Sequence, residues 1–414
     1  MADESAPTAW KNPMAWLPHS IAEAALPGSD APDVEMAAAW THLHERLAAA
    51  QQLVASTPGN KTPLDNAAGM RHLTVLLAVG IDSALRADPD PVLAVTRASM
   101  DDIVTWGLEC PDCVYLNASL RAGETYRVFG NRGTARYVGL QTMDGIAATA
   151  NCLVDELQTD DHGYFEVILS ADEREGNWLR LAGDHPTLTV RNFLYDWDTE
   201  TLASLQIERV GAAAEPRERS VDPEAPVARQ LYALGDFVYD NLKFFLDFGA
   251  MAPANGFIPP MDMSSMGAAA ENRPVIGRFE LEPGQAVILE FEPPTGVYWS
   301  ISLGNPWQET INYGRHQSSL NGHQAVVDAD GKVRCVVSAQ DPGVANWLDT
   351  AGFSNGAMLL RCVRTETAPV PDVRVLDFAD VVAALPAATA MCSPEERAQV
   401  LDARRRAVHT RFHR

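Results

Sequence analysis

Gly304 to Ala329, "GNPWQETINYGRHQSSLNGHQAVVDA", holds the densest group of side chains able to do chemistry. It contains Trp307, Glu309, Tyr313, Arg315, His316, Asn321 and His323. Histidine exchanges protons near neutral pH, arginine grips a carboxylate by two points, and tryptophan and tyrosine wall an apolar or sugar substrate. The pattern suggests His316 as general acid or base, Arg315 as anion clamp and Tyr313 as an orienting donor. A surface loop pinned by its own polar side chains is the plainer alternative. A second group is "RNFLYDWDTE", Arg191 to Glu200. On a strand end, Asp196 and Asp198 flank Trp197 and share a face, where two carboxylates share a proton, hold a divalent cation, or partner His316. A solvated strand end followed by a helix cap fits the same residues. A third is "GNRG", Gly130 to Gly133, a hairpin-turn pattern in which Arg132 anchors an anion or is only a surface charge. Trp307, Asn321, His323, Arg132 and Trp197 are the expected substrate contacts.

Several chemistries lack their motifs. There is no dinucleotide or phosphate glycine loop, no nucleophile elbow and no His-Glu-x-x-His. "CPDC", Cys110 to Cys113, offers half a zinc site or a redox pair. No second close pair completes a zinc site, and a strand pattern follows where a redox pair needs a helix, so the cysteines read as ordinary reduced thiols. His42 and His44, two apart on a helix, face different sides. No metal and no cofactor are expected.

The net charge of −23 argues against nucleic acid and anionic membrane as partners. The start, "MADESAPTAWKNPMAWLPHS", lacks the basic-then-apolar pattern of a signal peptide, and a cytoplasmic location is expected. A small-molecule substrate and a homo-oligomer are the expected partners.

The elements that must position these groups emerge from a repeat. "GNWLR" at Gly176 to Arg180 returns as "ANWLD" at Ala345 to Asp349. Leu120 aligns with Leu281, Gly123 with Gly284 and Tyr137 with Tyr298 at one offset. Gly163 aligns with Gly331, Ser170 with Ser338 and Gly183 with Gly352 at a slightly larger one. An offset of 161 in the first block and of 168 to 169 in the second implies an internal duplication, with a longer connection in the second copy across Gly304 to Ala329. Asn-Trp-Leu then reads as structural, Trp plugging a sandwich end and Asn satisfying a turn.

Apolar spacing predicts helices over "VEMAAAWTHLHERLAAAQQLVA", with Trp40, Leu43, Leu47 and Leu53 on one face, and over "MRHLTVLLAVGIDSALRA", "PVLAVTRASMDDIVTWGL" and residues 223–248. Alternation predicts strands through the two repeats, including "LTVRNFLYDW" and "AVVDADG". Ser393 to Glu396 has capping-box spacing and opens a C-terminal helix. The expected fold is α+β, mainly β: two duplicated antiparallel β-sandwich-like domains with an N-terminal helical region, a helical linker and a C-terminal helix. The divisions fall at 1–108 (arm and helices), 109–215 (first β domain), 216–270 (linker), 271–372 (second β domain) and 373–414 (C-terminal helical segment).

"YRVFGNRGTARYVGLQ", "LTVRNFLYDWDTE" and "VYWSISLGNPWQETINYGRHQ…VANWL" together resemble bacterial proteins carrying the domain of unknown function twelve-fourteen, often paired with domain twelve-fifty-four. The resemblance spans roughly residues 105–370. Members often carry Asp-Asn-Pro-Asp before the first strand, where this chain has Glu109 to Asp112, "ECPD". The resemblance implies paired β-sandwich-like domains and no settled reaction. The expected function is a cofactor-independent hydrolase or lyase acting on a small, partly apolar metabolite, in a pocket between the β domains. A sugar- or lipid-binding protein and a structural oligomer are the alternatives.

Overall fold

The computed structural model describes residues 33–85, 104–144, 147–211, 224–261 and 271–412. The arm and most of the helix expected from Pro91 lie outside them. The helices are α1 (Met36–Ser56), α2 (Pro63–Leu85), α3 (Glu224–Gly249), α4 (Val381–Ala384) and α5 (Pro394–Phe412). Among the described residues no helix is long and apolar enough to cross a membrane.

In α1 the fully buried stripe is Ala39, Leu43, Ala50 and Val54, one face of a helix. Trp40, expected on that face, points outward and is 46% exposed. The seam with α3 is too close for it: a methyl on Gly235 of α3 would lie 3.1 Å from the Leu43 Cα. A capping box starts α2, the Thr62 hydroxyl accepting from the Asp65 amide and the Asp65 carboxylate from the Thr62 amide. The expected box at α5 forms likewise, between Ser393 and Glu396.

The first β domain contains β1 (Cys113–Ser119), β2 (Tyr126–Asn131), β3 (Tyr137–Asp144), β4 (Ala147–Leu153), β5 (Tyr164–Ser170), β6 (Trp178–Arg180), β7 (Pro186–Phe193) and β8 (Ser204–Arg209). After β9 (Gly256–Phe257), the second contains β10 (Val275–Glu280), β11 (Gln285–Phe291), β12 (Gly296–Gly304), β13 (Ser319–Asn321), β14 (Val333–Ser338), β15 (Trp347–Asp349), β16 (Asn355–Thr365) and β17 (Asp372–Asp377). The sheets run β1-β7-β3-β4 and β6-β5-β2-β8 in the first, and β10-β16-β12-β13 and β15-β14-β11-β17 in the second. The two orders are the same strand for strand. Each domain also has a parallel pair at the same place, β5 with β6 and β14 with β15. Between its two sheets each domain holds its own apolar core, with Tyr126, Val128, Leu140 and Phe165 in one and Val287, Leu289, Ile301 and Met358 in the other.

The duplication reaches individual hydrogen bonds. Asn177 holds Gln158 by donating to its carbonyl and accepting from its amide. Asn346 does the same to Val326. The indoles of Trp178 and Trp347 donate to Ser170 Oγ and Ser338 Oγ, each at 3.1 Å. Gly123 and Gly284 take the same left-handed turn, at φ +78° and +81°.

The copies differ most between the third and fourth strands. β3 ends at Asp144 and β4 begins at Ala147, whereas β12 ends at Gly304 and β13 begins at Ser319. The strand expected at Ala325 to Gly331 is not formed; these residues are turn and irregular backbone. The long connection folds inward, so that Asn305, Trp307, Glu309, Thr310, Tyr313 and Ser318 are buried. Trp307 leaves its own domain and inserts into the helical layer, its Nε1 donating to the Asp65 carbonyl at 2.8 Å. A methyl on Gly69 would sit 2.6 Å from that ring, so α2 admits the indole only because residue 69 is glycine.

Replacing Asn346 by Ala should cost about 1–3 kcal/mol, because it strands the Val326 amide and carbonyl. The Asn177→Ala loss should add to it, the two sites being in separate domains. Urea unfolding of the single and double variants measures both. Unchanged midpoints would refute a holding role for the motif.

Candidate functional site

The segment Val104–Cys113 runs from the helical layer to β1 along the outer face of the second domain. It is tied down almost residue by residue. Leu108 donates to the Gln308 carbonyl at 2.8 Å, and its own carbonyl accepts from Arg361 at 2.9 Å. The Glu109 carbonyl accepts from the Thr310 hydroxyl, and the Pro111 carbonyl from Arg411.

Asp112 lies at the centre of the junction and has no solvent exposure. Its carboxylate accepts from Tyr298 Oη (2.5 Å), Trp197 Nε1 (2.6 Å) and Asn321 Nδ2 (2.8 Å). Burial raises its pKa, while Tyr298, Asn321, the Arg411 charge and Trp197 pull it down. Arg404 and Arg411 lie over Trp197, 4.7 and 4.6 Å from the ring centroid. Tyr313 meets the same indole edge-on at 6.2 Å. Cys110 Sγ is 3.1 Å from Tyr298 Oη, and burial pushes the Cys113 thiol well above its usual range.

The remaining residues singled out from the sequence disperse. Asp196 and Asp198 sit in a turn, since β7 stops at Phe193, so the shared strand face does not exist. Asp196 is a cap: it accepts from the Asp198 amide and from the Thr199 hydroxyl. Thr199, then those amides and the charge of His323, lower its pKa. Asp198 and His323 are exposed. Neither aspartate is His316's partner: His316 Nδ1 bonds Asp349 Oδ2 at 2.8 Å, within the second Asn-Trp-Leu-Asp. Arg315 is exposed and lines a shallow surface depression of about 440 Å³ with Gly314, Leu401, Asp402 and Arg405. Tyr313 is buried away from it. Arg132 forms a two-point pair with Asp155 and also donates to the Ala135 carbonyl. Its turn joins the two sheets of a sandwich, not neighbouring strands of one sheet. Trp307 is an interior plug. Trp197 and Asn321 come together on Asp112, with Tyr313 against the Trp197 ring, and Asp196 feels the charge of His323 nearby.

The group with unsatisfied chemistry is different. Glu109 is 4% exposed, and neither carboxyl oxygen has a hydrogen-bond partner. Burial raises its pKa to about 8, with Thr310 pulling down and the Glu309 charge adding to the rise. Glu309 is equally buried; Asn305 donates to it at 2.7 Å and Arg71 approaches at 3.3 Å. His72, fully buried on α2, places Nδ1 3.2 Å from Glu309 without hydrogen-bond geometry, and neither ring nitrogen is otherwise satisfied. Both acids follow a non-glycine residue in left-handed conformation, Leu108 at φ +52° and Gln308 at φ +62°. Such strain collects where the surrounding structure over-determines a functional geometry. The backbone bond from Leu108 to Gln308 joins the two strained positions. Among the described residues no group of three or more His, Cys, Asp or Glu is arranged to hold a metal ion.

The model of the family described as "Protein of unknown function (DUF1214)" matches residues 280–367. A crystal structure of an uncharacterized protein from Burkholderia cenocepacia is 30% identical, with a TM-score of 0.76, over 82% of this chain and 97% of that one. The VPA0106 protein from Vibrio parahaemolyticus is 13% identical, with a TM-score of 0.45, over 74% of this chain and 98% of that one. No curated protein matches.

The raised pKa makes a stability prediction with a definite sign. A carboxyl whose folded pKa lies above its unfolded value stabilises the fold below the unfolded value, near 4.5, and that contribution is lost as pH rises through about 8. Relative to Glu109→Gln, the parent should therefore lose roughly 4–5 kcal/mol across that window and then level off. Urea titrations at several pH values check this. A parent-to-variant difference independent of pH would show that Glu109 is not perturbed.

Proposed function

The chain belongs to this family of proteins of unknown function, and for it we propose a cofactor-independent hydrolase or lyase. It acts on a small, partly apolar metabolite by general acid–base catalysis at Glu109 and Glu309. The observation that carries the reading is the state of Glu109. It is a buried carboxyl without a hydrogen-bond partner, raised to about 8 and therefore protonated at neutral pH, beside a second glutamate with a cation at hand. Two acids whose surroundings differ in this way divide the work of donor and acceptor.

In this mechanism Glu109 gives its proton to the leaving group or to a developing oxyanion. Glu309 takes a proton from water in a hydrolysis, or from carbon in an elimination. Asn305 and Arg71 hold and orient Glu309, and His72 acts as a positioning residue behind it. Trp106 and Leu108, both buried in the same segment, supply apolar surroundings. Burial keeps the local dielectric low, which strengthens each proton transfer.

His316 supports a second reading. Its Nδ1 is held by Asp349, leaving Nε2 for proton exchange beside Arg315. That dyad is partly open to solvent and carries no desolvated group, so we place the chemistry at the glutamates.

A panel of small esters, amides and hydroxy acids tests the assignment. Turnover should fall as pH rises past about 8, when Glu109 loses its proton. Glu109→Gln and Glu309→Gln should each lose about 10²–10⁴-fold, while His316→Ala keeps parent activity. Loss in His316→Ala with Glu109→Gln unaffected would move the site to the dyad.

A further inference from the structure

The outer sheet faces of the two β domains meet in one cluster, with Cys113, Tyr137 and Phe193 from the first and Tyr298 and Val363 from the second. At its edge stands a cation without a counter-ion. Arg361 on β16 is half-buried, and its Nη2 donates to the Leu108 carbonyl at 2.9 Å. Among the described residues that is its one hydrogen bond, and no carboxylate pairs with it. Its remaining nitrogens keep contact with solvent. The titratable groups acting on it are Tyr115, Cys110, Tyr298 and Cys113. Burial raises the pKa of all four, so none is charged at neutral pH. Asp112 also acts on Cys110, but its oxygens are taken by Tyr298, Trp197 and Asn321. Ser300 is the register partner of Arg361 across β12 and β16, so the two side chains share a face of the sheet. That face is turned to the junction, since Tyr298, two residues earlier on β12, reaches Asp112. Ser300 is 1% exposed, and its Oγ has no hydrogen-bond partner. Its other neighbour in the sheet, Asn321, has its amide nitrogen taken up by Asp112 and the Leu194 and Tyr195 carbonyls.

We propose that Arg361 and Ser300 form a binding site between the two β domains for a small molecule bearing one carboxylate. The site goes beyond the acid–base reading and needs neither glutamate. A guanidinium presents two faces of paired N–H groups, one from Nε and Nη2 and one from Nη1 and Nη2. Whichever Nη2 hydrogen the Leu108 carbonyl takes, one two-point face remains, and a planar carboxylate matches it. The Ser300 hydroxyl, left without a partner on the same face, supplies one further donor. One negative charge balances one arginine. A dianion would bring a surplus charge into a half-buried place, and a neutral ligand would leave the guanidinium uncompensated. Interfaces between domains are also where small-molecule sites most often form.

Calorimetric titration of the full chain with sodium propionate tests this, with propionamide and sodium sulfate as comparisons at matched ionic strength. Propionate should bind saturably and more tightly than either. Arg361→Gln should weaken it about 10–100-fold, and Ser300→Ala about 3–10-fold. Arg361→Lys keeps the charge and loses the fork, so its loss should fall short of that in Arg361→Gln. Binding should be kept in Glu109→Gln. Circular dichroism of each variant verifies the fold, and if Arg361→Gln does not fold, Arg361→Lys and Ser300→Ala decide. Absence of saturable propionate binding, sulfate binding tighter than propionate, or unchanged affinity in Arg361→Gln would each overturn the proposal. So would unchanged affinity in both Arg361→Lys and Ser300→Ala. Because no turnover is measured and Glu109 is not a contact, failure here leaves the acid–base reading standing, and failure of that reading leaves this site standing.

Discussion

The neutralisation of one buried carboxylate, Asp112, holds the parts of this molecule together. Tyr298 reaches it from β12, Asn321 from the end of β13 and Trp197 from the turn after β7. Arg404 and Arg411 of α5 cover Trp197 and bring positive charge to the same point. Both β domains and the C-terminal helix thus converge on one side chain. Among the described residues Arg404 pairs with no carboxylate, and burial pushes it down to about 10. Its charge acts on Asp112, which accepts from the N–H edge of the same indole. A buried charge with such a shell is stable only while every donor is in place, which makes the junction cooperative.

Three residues earlier, Glu109 is buried to nearly the same degree with neither oxygen bonded. The contrast separates architecture from chemistry. Asp112 has three donors and two nearby arginines, and nothing about it is left to react. Glu109 has a repelling neighbour and a strained backbone leading into it. Native structures keep few buried polar groups unpaired, so one that persists calls for a use. The same segment therefore holds one acid in a full set of donors and leaves the other buried without a hydrogen bond to its carboxyl.

Much of the fold was legible because the duplicated features are local. The paired glycines and the Ser393 capping box act within a few residues and form as read, and the Asn of each Asn-Trp-Leu satisfies the backbone of a segment before it at nearly the same spacing in both copies. The long connection from Gly304 was misread for the opposite reason. Its polar residues resembled a surface loop, but their partners come from distant parts of the chain: Asp65 for Trp307, Glu109 for Thr310, Arg404 for Tyr313. Trp40 failed similarly, since only the closeness of α3 decides which face of α1 is buried. Asp196 and Asp198 lost their common face when β7 ended early. At the site, "ECPD" was read for its cysteines, and the acids that flank Cys110 and Pro111 were passed over. His72 did leave a signal: it is a lone imidazole within the apolar run of α2. Asp349 was in view as well, but as part of a repeat and not as a partner for His316.

Glu109 carries a proton at neutral pH because the cost of burying its ion outweighs the pull of Thr310 and the nearby backbone. Infrared difference spectroscopy of the parent against Glu109→Gln measures this directly through the carbonyl stretch of a protonated carboxyl. The band should be present near neutral pH in the parent, missing from the variant, and lost as pH passes about 8. A parent spectrum with no protonated carboxyl beyond that of the variant near neutral pH would contradict it.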